Sequence, residues 1–277
     1  MKSQVVSFLK KLAKNDIFWF LIKPFVSAAR VIYNSREDSL SAKRPENLDH
    51  PTIFSDLTVL NGPFKGMKYP NMTAKGSTLY PKLLGSYESE LHGILHEFKQ
   101  RKYSQILDIG CAEGYFAVGM ALKFQCDILF AYDLDKTAID ACIEMAELNG
   151  VASKIETNLG IDAAALASFR FTGKSLILCD CEGFEKELFS EENIQNLAQC
   201  DLIIETHDLF DIEISTHLIH LFSKTHTVET VLSSTDDIIK ALDSSYNELA
   251  NMSLSQKKNI LAEERPAIMK WLICRPK

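Results

Sequence analysis

Long apolar runs are missing from this sequence. None approaches the ~20 residues of a membrane-spanning helix, and the longest early run, Ile17 to Ile22, is cut by Lys23 and Pro24. A secretory leader needs one unbroken apolar region, and Lys10, Lys11 and Lys14 spoil that pattern as well. The seven cysteines (Cys111, Cys126, Cys142, Cys179, Cys181, Cys200 and Cys274) are odd in number and form no C-x-x-C pair. That excludes a disulfide frame and a zinc site and points to reduced thiols in a cytoplasmic protein. Cys179 and Cys181 alternate about Asp180 in an apparent strand and read as core filling. Basic residues are too few for a general nucleic-acid binder, since the formal charge is −7. Proline is absent from Lys82 to Arg265, whereas six of the eight prolines lie in the first 81 residues. Nothing therefore forbids continuous regular structure from Gly85 to Glu264.

What is present fits an ordinary globular chain. Its 277 residues, 46% hydrophobic and 24% charged, can bury one α/β domain with an appendage, or two small domains. Disorder, collagen-like repetition and a disulfide miniprotein are excluded. Residues 1 to 36 carry seven basic side chains and one acid, Asp16, for a net +6, so the remainder carries −13. A basic head precedes an acidic body.

The prolines place the body at 82–277 and leave 1–81 as an extension. Val5, Phe8, Leu9 and Leu12 fall at helical spacing, with Lys10, Lys11 and Lys14 off that face. Such a helix either lies peripherally on the inner membrane surface, with Phe18, Trp19 and Phe20 as anchors, or packs on the body or on a second subunit. Residues 34 to 81 are polar and turn-rich, with short hairpin strands expected around Leu57 to Leu60 and Asn61-Gly62.

From Ser86 the pattern alternates. A helix opening at Ser86 presents Leu91, Ile94, Leu95 and Phe98. Strands are expected at Gln105 to Ile109, Asp127 to Tyr132, Lys154 to Asn158, Ser175 to Cys179, Asp201 to Glu205, His226 to Leu232 and Ile268 to Cys274. Between them lie helices from about Tyr115 to Phe124, Lys136 to Leu148 and Ile212 to Phe222. Alternation of this kind predicts a mostly parallel sheet covered by helices on both faces, with ligands at the carboxyl ends of its strands.

The first such end reads Asp108-Ile109-Gly110-Cys111-Ala112-Glu113-Gly114. Its glycines let a ligand approach the backbone, but the spacing is not G-x-G-x-x-G, and no lysine makes it a P-loop. Asp108 and Glu113 flank the loop, and no Lys or Arg lies between Lys102 and Lys123. A pyrophosphate would be repelled and a cationic amine attracted. S-adenosylmethionine, with an ammonium and a sulfonium and no phosphate, is such a ligand. Asp133, twenty-five residues on at the tip of the second strand, is placed to accept from ribose hydroxyls; Asp135 is placed to cap the next helix.

The run Ile106 to Phe116 resembles motif I of class I S-adenosylmethionine-dependent methyltransferases, with Ala112 in place of the usual middle glycine. Asp180-Cys181-Glu182-Gly183-Phe184-Glu185 resembles the D-x-E-G-x-E segment of FkbM-type methyltransferases, and Ile203 to Asp208 resembles their I-E-x-H-D stretch. Gly85-Ser86-Tyr87-Glu88 is similar to a segment before motif I in related proteins. The resemblance spans about residues 80 to 277. It implies a Rossmann-like, seven-stranded class I methyltransferase fold and S-adenosylmethionine as cofactor. By position, Asp108, Gly110 and Gly114, with Cys111 between them, would hold the methionine part. Asp133 and Leu134 would meet the ribose side, Asp162 (or else Asn158 or Gly160) the adenine amine, and Asp180 the transfer end. Ser86 to Glu88 would fold over the cofactor, with Tyr115 near the sulfonium.

Methyl transfer to a hydroxyl profits from a general base. His207, at the end of the fifth strand, is the first candidate, oriented by Asp208 or Glu205; Asp180 is its rival. Asp180, Glu182, Glu205, His207 and Asp208 offer ligands for a divalent cation, but Glu182 and Glu205 read as structural and no metal is assigned. His217, His220 and His226 read as packing or surface residues, while Arg265 and Trp271 line either an acceptor pocket or the core. The expected acceptor is a hydroxyl of a small molecule or glycan, with no nucleic-acid partner. The alternatives are a non-catalytic relative that binds cofactor or partner, and an NAD-dependent oxidoreductase, which the acidic loop disfavours.

Overall fold

Seven of the apolar runs form strands: β1 (Lys102–Ile109), β2 (Gln125–Asp133), β3 (Ile155–Leu159), β4 (Ser175–Cys179), β5 (Cys200–Thr206), β6 (His226–Leu232) and β7 (Lys270–Pro276). The structure is a computed structural model and describes residues 52–233 and 246–277. The helix expected over residues 3 to 15 lies outside them. The strands make one sheet in the order β3-β2-β1-β4-β5-β7-β6. β1 to β5 pair in parallel, and β7 enters antiparallel between β5 and β6. This is the mostly parallel, Rossmann-like seven-stranded sheet that the sequence predicts.

Its helices are α1 (Leu79–Leu84), α2 (His92–Lys99), α3 (Tyr115–Lys123), α4 (Lys136–Leu148), α5 (Ala163–Ser168), α6 (Glu185–Leu188), α7 (Ile194–Leu197), α8 (Ile214–Phe222) and α9 (Leu254–Leu261). Because strand side chains alternate in direction, each central strand feeds two cores. Ile106, Leu129, Leu176, Leu178, Ile203 and Ile273 pack with α1 to α4 and α9. Leu107, Ile109, Ile177, Cys179, Ile204 and Leu272 pack with α5 to α8 on the other face. Both faces are thereby covered, which a parallel sheet requires.

Local signals set the helix ends. Asp135 caps α4 as expected, accepting from the Thr137 N–H at 2.8 Å, and Gly150 follows that helix at φ +69°. The helix expected from Ser86 starts only at His92. Gly85 at φ +82° and Glu88 at φ +50° turn the chain through the left-handed region first.

The body also begins earlier than the prolines suggest, at Ile53 rather than at residue 82. Phe54, Val59, Phe64 and Met67 are buried in the same core as α3. Phe64 lies on Gly119, where a Cβ would come within 2.5 Å of its ring. The expected hairpin is a single antiparallel bridge between Thr58 and Lys68. Polar turns around those few apolar residues concealed their burial.

The chain runs outward from β1 through β2 to β3, then crosses back to β4 beside β1. That reversal gathers the carboxyl ends of β1, β2, β4 and β5 around one crevice.

Candidate active site

The loop after β1 is folded tightly by backbone conformation. Gly110, Ala112 and Gly114 all have positive φ, at +87°, +47° and +99°. Gly110 is obligatory, since a Cβ there would stand 1.7 Å from the carbonyl oxygen of Asp180. The Gly110 and Cys111 N–H groups donate to the Tyr132 carbonyl at 2.8 and 3.0 Å, and the Ala112 N–H donates to Asp133 Oδ2 at 2.9 Å. Asp133 thus holds the loop, and its Oδ1 accepts from the Asp135 N–H at 2.8 Å.

Asp108 lies beneath this loop, 0% exposed, and neither carboxyl oxygen has a hydrogen-bond partner. Burial, then the negative fields of Asp180 and Asp133, push its pKa up to about 8; the nearby Ala117 amide on the first turn of α3 opposes that shift. An unsatisfied buried carboxyl is costly, and an ammonium donor is the group that satisfies it best.

Glu113 does not share this role. It is buried, accepts from Tyr69 Oη at 3.1 Å and the Lys75 N–H at 2.9 Å, and pairs with Lys82 Nζ at 2.5 Å. The local sequence holds no cation near Glu113; the fold brings one from α1. Of the two acids expected to make the loop negative, only Asp108 remains uncompensated.

Other expected contacts divide. Leu134 is 87% exposed beside the tip of β2. Asp162 caps α5, accepting from the Ala165 N–H at 2.8 Å. Cys111 is buried, and its thiol is pushed up by a hydrogen bond with Cys142 and by burial. The Tyr115 ring is buried edge-on against Phe64 and Tyr87, with centroids 5.2 and 5.3 Å away. The cation it faces is Lys82, with Nζ 5.4 Å from the ring centre.

The ends of β4 and β5 bring together Asp180, Glu205 and His207. Glu185, on the first turn of α6, orients the histidine; neither Asp208 nor Glu205 does so. His207 Nδ1 lies 2.8 Å from Glu185 Oε1, which also accepts from the Gly183 N–H at 3.0 Å. Burial raises the Glu185 carboxyl, but the bond to His207 outweighs it and holds the group below its ordinary range. Asp208 instead pairs with Lys270 at 2.6 Å and accepts from Ser215. Glu185 stands in the quoted D-x-E-G-x-E run, yet no local spacing ties it to a histidine 22 positions on.

These carboxylates change the histidine's chemistry. Burial lowers its pKa, but Glu185, Asp180 and Glu182 together raise it to about 9. That shift favours the protonated ring at neutral pH and works against the general-base role expected of it. Burial raises Asp180 against the opposing field of His207, and burial with Asp180 beside it raises Glu205 well above the carboxylate range.

Arg265 lies in the core, ion-paired with Glu88, with Glu205 at 2.6 Å and with Glu263 at 3.0 Å. Trp271 is fully buried, with its Nε1–H on Glu88 Oε2 at 3.1 Å. Ser86 and Glu88 are buried too, so this segment braces the site from within. His226 is buried, with Nε2 3.0 Å from the Cys200 carbonyl. Phe184 and, close after His207 in the sequence, Leu209, Phe210 and Ile212 are exposed among acidic residues, and the Phe210 ring stacks on His207 at 5.9 Å. No described helix is long and apolar enough to cross a membrane.

Comparison with known proteins gives three findings. The family model for ribosomal protein L11 methyltransferase (PrmA) matches residues 92–170, the segment from α2 through β3 to just past α5. No curated protein matches the chain. Similar solved structures include an rRNA methylase from Streptococcus thermophilus, at 12% identity over 69% of this chain and 99% of that one, TM-score 0.44. A precorrin-6y C5,15-methyltransferase from Geobacter metallireducens is similar at 9% identity over 69% and 89%, TM-score 0.45. A precorrin 8W decarboxylase from Methanobacterium thermoautotrophicum is similar at 15% identity over 59% and 81%, TM-score 0.42. Likenesses this distant leave function to the chemistry of the site.

Proposed function

We propose that the chain is an S-adenosylmethionine-dependent methyltransferase, of the FkbM type within that class, acting on a hydroxyl of a small molecule or glycan. The observation that carries this reading is Asp108, a fully buried carboxyl with two unsatisfied oxygens at the end of β1, beneath a loop that cannot tolerate a side chain at Gly110. A methionine ammonium satisfies that carboxyl and favours its ionised form, whereas the pyrophosphate of NAD offers it no donor. Asp108 and the Gly110–Gly114 loop would hold the amino-acid end, and Asp133 and Leu134 the ribose side.

When bound, the cofactor supplies a methyl group already activated on sulfur. The chain's own residues align the acceptor, exclude water and handle one proton. In the transfer the sulfur–methyl bond breaks, the oxygen–methyl bond forms, and the hydroxyl proton leaves to the protein. Asp180 is the group to receive it, with a side chain 22% exposed at the end of β4. His207, held by Glu185, lies 3.6 Å from Asp180, and its field favours the ionised carboxylate. The exposed Phe210 ring stacked on His207 suits an acceptor with an apolar face. Asp180, Glu182, Glu185 and Glu205 around His207 disfavour a polyanion such as RNA.

Calorimetry with S-adenosylhomocysteine and with NAD tests the reading. Micromolar binding of the first and none of the second is expected; the reverse would overturn it in favour of the oxidoreductase.

A further inference from the structure

His207 faces three carboxylates without touching any of them through Nε2. Its distances to Asp180 Oδ1, Glu182 Oε2 and Glu205 Oε2 are 3.6, 3.6 and 3.8 Å. These are too long for hydrogen bonds. They fall between the about 3.0 Å of adjacent and the about 4.2 Å of opposite ligands around one octahedral ion with bonds of about 2.1 Å, so a small adjustment would let them share it. One ligand atom each from Asp180, Glu205 and His207 falls within 4.8 Å of the others.

The backbone makes this convergence rigid. β4 and β5 are paired in register, Cys179 opposite Ile204, which brings Asp180 level with Glu205. Glu205 and His207 are two residues apart and point to the same face of the strand's extension. Thr206 between them accordingly points elsewhere, with its hydroxyl donating to the Lys270 carbonyl at 3.1 Å.

Each group is already committed at its far side. Glu205 Oε1 is taken by Arg265 at 2.6 Å, which leaves Oε2 toward His207. The imidazole, 4% exposed, has Nδ1 fixed on Glu185, itself 0% exposed. In the neutral ring, Nδ1–H donated to a carboxylate leaves a lone pair on Nε2 aimed at the acids. Asp180 Oδ1 is buried and has no hydrogen-bond partner. The orphaned carboxylate oxygen asks for positive charge, and a cation bound there would take the Nε2 lone pair in place of its proton.

We propose that Asp180 Oδ1, Glu205 Oε2 and His207 Nε2 bind one divalent cation of the magnesium–manganese class, with Glu185 as the carboxylate that orients the histidine. Two hard oxygens with one imidazole suit Mn2+ or Mg2+ better than a thiolate-loving ion. The cation's role rests on the methyl-transfer reading: a hydroxyl bound to it loses its proton more readily. The binding site itself does not depend on that reading.

The test titrates the full chain, without cofactor, with MnCl2 and follows free Mn2+ by electron paramagnetic resonance. Asp180→Asn and His207→Gln are measured alongside, each checked for folding by thermal unfolding. One Mn2+ per wild-type chain is expected, with affinity at least tenfold weaker in each folded variant and an Mn2+-induced rise in Tm only in wild type. No stoichiometric binding below millimolar Mn2+, or unchanged binding in a folded variant, would overturn the site. If one variant fails to fold, the other and the wild-type stoichiometry decide. A parallel titration with S-adenosylhomocysteine separates the two ideas. Mn2+ bound without it leaves the site standing and removes the function reading; the reverse result removes the site alone.

Discussion

Burial strips water from Asp108, Asp180 and Asp133 add negative field, and together they push its pKa up to about 8. In an unfolded chain the same group titrates near ~3.9. Between about pH 4 and pH 8 the native state therefore keeps a proton that the unfolded state has released, so this residue's contribution to stability falls as pH rises through that window. Asparagine keeps the shape and removes the charge. Asp108→Asn should raise the Tm of the ligand-free protein at pH 8.5, with the gap closing toward pH 4.5; a gap independent of pH would show that the carboxyl is not the cause. Glycines separate two further effects at this scale. Gly110→Ala combines φ +87° with a Cβ 1.7 Å from a carbonyl oxygen, whereas Gly150→Ala has φ +69° and nothing within 4 Å. Urea unfolding should give a loss of roughly 1 kcal/mol for the second and more than about 3 kcal/mol, or no folded protein, for the first.

At the scale of elements, the segment before α2 is fastened to the β1–α3 loop by Glu113. Lys82 on α1 and Glu113 have side chains only 3% and 5% exposed, so removing one leaves the other buried and uncompensated. Lys82→Met should cost about 3 kcal/mol in urea unfolding, and adding Glu113→Gln should recover much of it. Additive losses would contradict the pairing. The same contact shows where sequence reading stops. The central strands were legible because each is a short apolar run bounded by polar turns, and Asp135 was legible as a cap because capping is local. Lys82 with Glu113, Arg265 with Glu205 and Glu185 with His207 join residues 31, 60 and 22 positions apart. Only the packed sheet brings them together. The Ile53 start was missed because Phe54, Val59 and Phe64 are too widely spaced among polar turns to carry a strand or helix period.

Across the whole molecule, alternating strands and helices forced a parallel sheet, and the sheet's reversal beside β1 fixed where its ligand site had to lie. Asp108, Gly110, Asp133, Asp180 and His207 could thus be singled out from strand ends alone. Their protonation could not, because it follows from burial and from charges on other elements: His207 read as a base, and the acids around it favour its protonated form. Cofactor binding by this chain would rest on Asp108 meeting the ammonium of an adenosylated amino acid. The most direct measurement is calorimetric titration of wild type and Asp108→Asn with S-adenosylhomocysteine and with methylthioadenosine, which lacks the amino-acid end. Asp108→Asn should weaken S-adenosylhomocysteine by about 100-fold, the ~3 kcal/mol of a buried charge-assisted bond, and leave methylthioadenosine unchanged. Equal weakening of both ligands, or S-adenosylhomocysteine binding untouched by the substitution, would contradict the assignment.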